Sequence, residues 1–541
     1  MGARVGSART MRGASDIASA MGLYLGLDSS TQSLSAIVID SDAGRVVLQE
    51  AVNFGQDLPE YGSPHGFLPN PDPQVRHANP LLWVAALELL FSKLKQAGFD
   101  FAKVSGISGS GQQHGSVYLD KRISDAPAWS TATPLVDQVK PLLSRATSPI
   151  WMDSSTSAEC AEIAAAVGGD SVVVGITGSR AIERFTGPQI RKFWKTEPEA
   201  YAKTTEITLV SAFMASILTG KSAPIDFGDG AGMNLLDLKS GAWSPELLAA
   251  TAPGLAEKLL PAVPSETHVG EISPYFVERF GFAPGTPVLA FTGDNPSSLV
   301  GMGATEPGCA VVSLGTSDTV FAAMREPHTD PRGYGHVFGN PAGGFMCLIC
   351  FANGSLAREE VAKRVGLSWP AFEAAILQQT KAGNDGNSML PYFYPEITPK
   401  LLEPKLSLDG SAAFRAFQEP PANARAIVEA QALSMQRHSD WIGERPRSVR
   451  VTGGASKNRG ILQVLADVFD ARIETLSVSN SAALGAALRA AHANSGLSWA
   501  ELYARFVVAD SGVRVESSPD SVRAYAEPRA KFALKMQTLG V

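Results

Sequence analysis

Two stretches pair a carboxylate at the end of an apolar run with a turn built from glycine and hydroxyl residues. In the first to consider, Val288 to Phe291 reads as a buried strand that breaks at Thr292-Gly293 and presents Asp294 and Asn295 at its end. A small-residue helix from Pro296 to about Gly303 is expected next, with Pro at its first position, where a missing N–H costs nothing. A second apolar strand, Cys309 to Ser313, enters Leu314-Gly315-Thr316-Ser317-Asp318 and leaves along Thr319-Val-Phe-Ala. Such a turn can aim backbone N–H groups and hydroxyls at one anion, which is how a phosphate is held without a Walker loop. A carboxylate at a strand end and a phosphate cradle some twenty residues later suit phosphoryl transfer, although an ordinary hairpin between buried strands gives the same pattern.

The second stretch lies near the start of the chain. Tyr24 to Asp28 reads as a strand, Ser29 to Ser33 as a turn carrying Ser30, Thr31 and Gln32, and Leu34 to Asp40 as an alternating strand. Two strand–turn–strand units, one near the start of each half, are most simply explained by an internal duplication with ATP between the halves. Actin-like and hexokinase-like ATPases are built this way, with a Mg²⁺-directing Asp at the end of the first strand, here Asp28. Read alone, Asp28 is equally a residue capping a turn.

The elements that must position these groups can be taken in order. Asn79 to Gly98 is an amphipathic helix with Asn79 as N-cap, Pro80 first, and Trp83, Leu87, Leu90 and Leu94 inward. Val104 to Asp120 reads as strand, glycine-rich loop, strand; its GSGQQHG is not the dinucleotide fingerprint, because the third glycine is misplaced. His114 sits in that loop among Gln112, Gln113 and Gly115, a polar cluster suited to the hydroxyls of a sugar. Asp153, in Trp151-Met-Asp-Ser-Ser-Thr156, is a candidate N-cap, and Arg184 a candidate substrate clamp or surface charge. Residues 209–219 form a buried helix; Gly220-Lys-Ser222 is not a Walker loop, because position 215 is Ala. A glycine-rich loop, Pro224 to Leu236, carries Asp226 and Asp229, and Asn353 to Gly366 reads as a helix. Leu390 to Pro399 reads as proline-broken loop and Asn423 to His438 as an amphipathic helix. Val449 to Asn458 is a strand, a double glycine (Gly453, Gly454) and a helix start, where an adenosine could approach the backbone closely. A small-residue helix from Ser479 to Ala491 and a surface helix from Arg523 to Leu539 complete the chain.

Composition sets the outer limits. The chain has 541 residues, enough for three or four domain-sized units or two large lobes, with 45% hydrophobic and 18% charged residues, as in an ordinary soluble globular protein. A net charge of −7 argues against nucleic acid as partner, and no apolar run approaches the ~18 residues of a membrane helix. Four cysteines favour a reducing, cytoplasmic setting; Cys347 and Cys350 form a lone CxxC in an apolar run and read as buried thiols. Residues 1–21, rich in Ala, Ser, Gly and Arg, are expected to be a disordered extension.

The ordered motifs GLDSSTQS, GQQHG, TGDNP, SLGTSDT and VTGGASKN resemble those of the FGGY carbohydrate kinases from about Tyr24 to the C-terminus. WMDSST, GSRAIERFTG and PIDFGDGAGMNLL are similar to the longer, eukaryotic-type branch that acts on D-xylulose. The resemblance implies an α/β, two-lobed actin/hexokinase-like (ribonuclease H-like) ATPase fold, with sugar and ATP meeting in an interlobe cleft. The expected lobes are residues 22–290 and 291–541. The implied reaction is phosphorylation of D-xylulose by ATP with Mg²⁺, by a monomer or homodimer. Carried over, Asp294 matches the catalytic base; His114, Gln113, Arg184, Asp294 and Asn295 match sugar-binding positions. Asp28 matches the residue that directs Mg²⁺, through water in the family's pattern, and Ser30, Thr31 and Gln32 lie in the first phosphate turn. Gly315, Thr316 and Ser317 match the second phosphate turn, and Trp369, Gly453, Gly454, Ala455 and Asn458 match positions around the adenosine. Three departures fit the longer branch: Ser155 where many members have Arg, Pro395-Glu396-Ile397 where many have G-E-R, and Gln113 where bacterial forms often have Met.

Overall fold

A computed structural model describes residues 22–476 and 480–540. The extension expected over residues 1–21 and the first residue of the helix expected from Ser479 lie outside the described residues.

The first unit forms β1 (Leu23–Ser29), β2 (Ser33–Asp40) and β3 (Arg45–Asn53), an antiparallel meander. On the other side of β1 lie β4 (Val104–Gly111), parallel to it, and then β5 (His268–Glu271) and β6 (Pro287–Leu289), with spatial order β5-β6-β4-β1-β2-β3. β7 (Thr292–Gly293) extends the pairing along β4. Helix α1 (Pro80–Gln96) buries Trp83, Leu87, Leu90 and Leu94, with Asn79 as N-cap to Leu81, as its spacing requires.

The second half repeats the plan. β8 (Cys309–Leu314), β9 (Asp318–Met324), β10 (His336–Gly339), β11 (Phe345–Phe351), β12 (Ser448–Thr452), β13 (Arg472–Leu476) and β14 (Ala509–Val515) form a sheet ordered β10-β11-β9-β8-β12-β13-β14. From β11 to β14 the pairings run antiparallel, antiparallel, parallel, parallel, antiparallel, and from β3 to β5 they run in that same succession. This is the structural trace of duplication. The halves differ in that the outer antiparallel strand precedes its neighbour in the first and follows it in the second, and in that the second inserts β10 between β9 and β11.

Two helices join the lobes: α2 (Asp294–Gly301) and, near the C-terminus, α4 (Ser481–Ser495), with α3 (Ser355–Arg364) between them in sequence. α2 and α4 cross backbone to backbone at glycines. A Cβ on Gly301 would lie 1.9 Å from the Ser481 carbonyl oxygen, and one on Gly485 1.9 Å from that of Ser297. α4 also lies on β1, where a Cβ at Gly26 would meet the Ala483 carbonyl at 2.1 Å. Its Arg489 is buried and donates to the carbonyls of Gly109, Ser265 and Ala290 in the first lobe.

Several expectations change. Past the boundary expected at 290/291, Thr292-Gly293 pairs with β4, and the second sheet's first strand begins at Cys309. α2 opens at Asp294, so Pro296 is its third residue; the first-turn N–H it lacks would have no helical partner there either. Asp153 does not cap the helix Ser157–Ala166, whose N-cap is Thr156; it is buried and accepts from Arg76 N, Ser155 N and Gln189 Nε2. Within the stretch read as loop, Ser388–Tyr392 is a strand paired with Lys405–Asp409, a partner too far along the chain for local signals to show. Helix Pro420–His438 is buried nearly all round, its Arg425, Glu429 and Gln431 satisfied by internal hydrogen bonds. The terminal helix, Ala526–Thr538, buries Phe532 and Met536 rather than lying free on the surface. Cys347 and Cys350 lie three apart on a strand and so on opposite faces, which breaks the CxxC as a pair; burial pushes both thiols up, Cys347 to about 12.

Candidate active site

β1 delivers Asp28 to the sheet's end, 3% exposed, where Ser110 Oγ on β4 donates to its Oδ1 at 2.7 Å and the Ser30 hydroxyl to its Oδ2. Burial raises this carboxyl's pKa; the two hydroxyls pull it back. At the tip, Thr31 Oγ1 accepts from Trp151 Nε1 at 2.8 Å, while Gln32 is exposed. Of the three turn residues, Ser30 and Thr31 are thus partly engaged by the protein.

Asp294 is brought beside Asp28 because β7 runs parallel to β4, which runs parallel to β1. It stands half-buried at the first turn of α2. The Asn295 backbone N–H donates to its Oδ1 at 2.8 Å, and Asn295 Nδ2 donates to the same oxygen at 3.0 Å and to Gln113 Oε1 at 2.8 Å. Burial pushes its pKa up to about 7, and the Asp28 charge adds to the shift, against the lowering effect of the N–H donors. Beneath it, Asp226 and Asp229 are fully buried: Asp226 caps the short helix Phe227–Gly230, and Asp229 accepts from Ser211 Oγ at 2.5 Å. Burial and the charges of Asp226 and Asp294 hold the Asp229 carboxyl well above its ordinary range.

Next to Asp294 lies a polar pocket. His114, 6% exposed, takes a left-handed φ of 70° in the loop after β4. Its Nδ1 sits 2.8 Å from the Gly232 carbonyl oxygen; since a carbonyl only accepts, the proton is on Nδ1 and Nε2 is a free acceptor. Burial, then the Arg184 charge, depresses its pKa to about 3, so the ring is neutral. Gln113 Nε2 is buried with no protein partner, a donor available to a ligand oxygen. Arg184 lies with its guanidinium carbon 5.9 Å from the centre of the Phe185 ring, which packs 4.5 Å from His114, and is within 3.2 Å of His336 Nε2.

The second hairpin shapes a different cavity. A pocket of about 660 Å³, within the range of ligand sites, is lined by Gly315, Thr316, Trp369, Gly454, Ala455 and Asn458. Glu359, Glu373, Ser355 and Lys457 join them. Trp369 is 45% exposed, an aromatic face open to the cavity. Gly453 has φ 90° and abuts Leu314, where a Cβ would come within 2.4 Å of the carbonyl oxygen; no other residue type allows that approach. The hairpin is pinned from behind. Asp318, just past the tip, forms a bidentate pair with the buried Arg358 of α3 at 2.7 and 3.0 Å. The Ser355 N–H donates to the Gly315 carbonyl at 2.9 Å.

The expected residues therefore gather in two neighbourhoods. Asp28, Gln113, His114, Arg184, Asp294 and Asn295 meet around the first sheet's end; Gly315, Thr316, Trp369, Gly453, Gly454, Ala455 and Asn458 meet in the second lobe, with Ser317 exposed at the hairpin tip. Gln32 makes no side-chain hydrogen bond among the described residues. Residues that the sequence did not point to are His336, Arg358, Glu359 and Glu373. None carries a local motif; the one available signal was an Arg inside an otherwise ordinary helix, at position 358. Glu396, where other forms carry G-E-R, accepts from the N–H groups of Ala352, Asn353 and Ile397 and so ties its loop to the start of α3.

Residues 23–301 match the model for the N-terminal domain of the FGGY family of carbohydrate kinases, and residues 310–494 match its C-terminal domain. Among relatives, a xylulose kinase of Rattus norvegicus is 44% identical over 479 residues, covering 87% of this chain and 88% of the relative. Xylulose kinase 2 of Arabidopsis thaliana is 44% identical over 488 residues, covering 87% of each. Among solved structures, the xylulose kinase from Rhodospirillum rubrum superposes with a TM-score of 0.80 at 22% identity, covering 96% of this chain and 99% of that one. That likeness bears on the fold, a two-domain α/β architecture with mixed sheets.

Proposed function

We propose, for a chain that belongs to the FGGY family of carbohydrate kinases, that it transfers the γ-phosphoryl group of ATP to the terminal hydroxyl of D-xylulose, giving D-xylulose 5-phosphate and ADP. The observation that carries this reading is Asp294, a carboxylate whose pKa burial raises to about 7, set beside Gln113, whose buried Nε2 has no protein partner. In this reading Asp294 accepts the proton of the attacking hydroxyl as its oxygen reaches phosphorus. His114 Nε2 accepts a sugar hydroxyl, Gln113 Nε2 and Arg184 donate to sugar oxygens, and Asn295 holds the carboxylate in place. The second hairpin and the pocket behind it take the phosphates and adenosine of ATP. Phosphoryl transfer needs mainly positioning and charge stabilisation, since its transition state is loose.

Mg²⁺ fits as a companion of ATP rather than as a resident ion. Among the described residues no cluster of three or more His, Cys, Asp or Glu could hold a metal, and both Asp28 oxygens already accept hydroxyl hydrogen bonds. Asp28 is then a residue that meets the ion's water shell, in line with its position on β1. Bound there, the ion would neutralise charge on the transferring phosphate. Backbone N–H groups of the two hairpin tips would share that work.

The test is ADP formation measured with D-xylulose beside D-ribulose, L-xylulose, glycerol and gluconate. Turnover greatest with D-xylulose is the expected result. Greater turnover with another acceptor would reassign the substrate within the family, and hydrolysis of ATP unaffected by any acceptor would point instead to an actin-like ATPase or sugar sensor.

A further inference from the structure

Strand β10 is the outermost strand of the second sheet, yet all four of its residues are buried. The first lobe covers it. Val337 packs on Gly178 and Leu238, where a Cβ at Gly178 would lie 2.5 Å from Val337 Cβ, and a Cβ at Gly339 would strike the Phe227 backbone at 2.9 Å. One residue of this strand reaches the polar pocket: His336, 1% exposed, packs 5.3 Å from the Phe185 ring and 3.2 Å from the Arg184 guanidinium. Arg184 has no carboxylate partner among the described residues, and His336 is the one side chain it hydrogen-bonds. A guanidinium only donates, so His336 Nε2 is the acceptor and the ring is neutral with its proton on Nδ1. Burial and the adjacent Arg184 charge, which depress the imidazole's pKa well below the ordinary histidine range, agree with this. Nδ1 itself is buried with no protein partner.

We propose that His336, arriving from the second lobe, is a positioning residue for the acceptor sugar: its Nε2 anchors the Arg184 guanidinium, whose remaining donors then meet the sugar's oxygens. The inference rests on the reading of the pocket given above. A planar fork of five donors binds well only when its plane is fixed, and a neutral imidazole fixes it without cancelling its charge. Because the anchor and the guanidinium come from opposite lobes, the acceptor's site is complete only when the lobes are apposed as here. This ties sugar affinity to the relative placement of the lobes, with no residue of the nucleotide pocket involved.

The test compares His336→Gln with His336→Asn in the full chain. Gln can place an acceptor oxygen near the Nε2 position, whereas Asn is one bond too short; both keep the site polar. A hydrogen bond to a charged group is worth roughly ten- to a hundredfold in binding, so the Asn variant should raise the KM for D-xylulose by about that factor. Its KM for ATP should change less than about twofold, and the Gln variant should stay within about threefold of the parent for both substrates. Arg184→Ala is measured alongside. A large Arg184→Ala effect with a silent Asn variant overturns this inference and leaves the sugar pocket standing, whereas an Arg184→Ala variant with unchanged D-xylulose KM overturns both. A Gln variant no better than Asn overturns the acceptor role. So does a joint rise of both KM values with a lower melting temperature, which marks a packing role.

Discussion

Asp294 concentrates the argument at the scale of a single residue. Its carboxylate oxygen accepts two N–H donors from Asn295, while burial and the neighbouring Asp28 raise the cost of its charge. Asn at position 294 keeps the size but cannot take a proton, so Asp294→Asn should lower kcat by roughly 10²–10⁴ with Mg·ATP binding and melting temperature near those of the parent. Initial rates beside calorimetric binding of both ligands check this. A variant retaining more than about a tenth of the turnover, with product release excluded by a burst experiment, would remove Asp294 from the role of base. The raised pKa makes a second prediction. A base works only when unprotonated, so kcat/KM should climb about tenfold per pH unit up to about 7 and level off above it. Because the Asp28 charge contributes to the upward shift, Asp28→Asn should move that acid limb to lower pH, whatever else it does to the rate. A limb that stays in place would show that burial alone sets the value.

At the scale of an element, the second hairpin and α3 are the unit proposed to hold the nucleotide. The Asp318–Arg358 pair lies wholly inside the protein, and Gln431 and Ser355 take further donors of the guanidinium. Removing one partner leaves a buried charge without compensation, so Arg358→Met should cost about 3–5 kcal/mol of stability in a denaturant titration. Adding Asp318→Leu should recover much of it, since the uncompensated charge then goes. Neither variant restores the hairpin's support, so the KM for ATP should stay raised in both while that for sugar moves little. Equal changes in the two KM values would mean that the pair serves the fold alone. At the tip itself, a Cβ on Gly315 would sit 3.2 Å from the Ser317 carbonyl oxygen and face the pocket. Gly315→Val should therefore raise the KM for ATP well beyond that for sugar, without loss of melting temperature.

At the scale of the whole molecule the lobes are joined at the crossing of α4 with α2, the helix that opens at Asp294. Gly301 and Gly485 let the two backbones touch, and Arg489 then reaches three carbonyls of the first lobe; burial lowers its pKa to about 10 against the raising effect of the Asp226 charge. A valine at 485 would have to push against the Ser297 carbonyl from 1.9 Å, so Gly485→Val should cost at least the upper end of the 1–3 kcal/mol typical of overpacking. Scanning calorimetry should show the loss, together with a fall in kcat, because α2 carries Asp294. Unchanged turnover in a destabilised variant would show that Asp294 is positioned by β7 alone.

The sequence by itself determined the two hairpins, Asp28 and Asp294 at the ends of their strands, and the double glycine at 453–454. These are local: strand period, turn chemistry and glycine placement are set within a dozen residues. It also determined α1, whose cap and apolar stripe are contiguous. Only the tertiary structure decided that Asp28 lies close enough to Asp294 to raise its pKa, because that proximity passes through β4, which is far along the chain from both β1 and β7. The same holds for Arg358 under the phosphate turn and for the strand pair Ser388–Tyr392 and Lys405–Asp409. His336 is the clearest case. In sequence it is one residue of a short apolar strand; burial, a neutral ring and an arginine from the other lobe exist only once the two sheets are packed together.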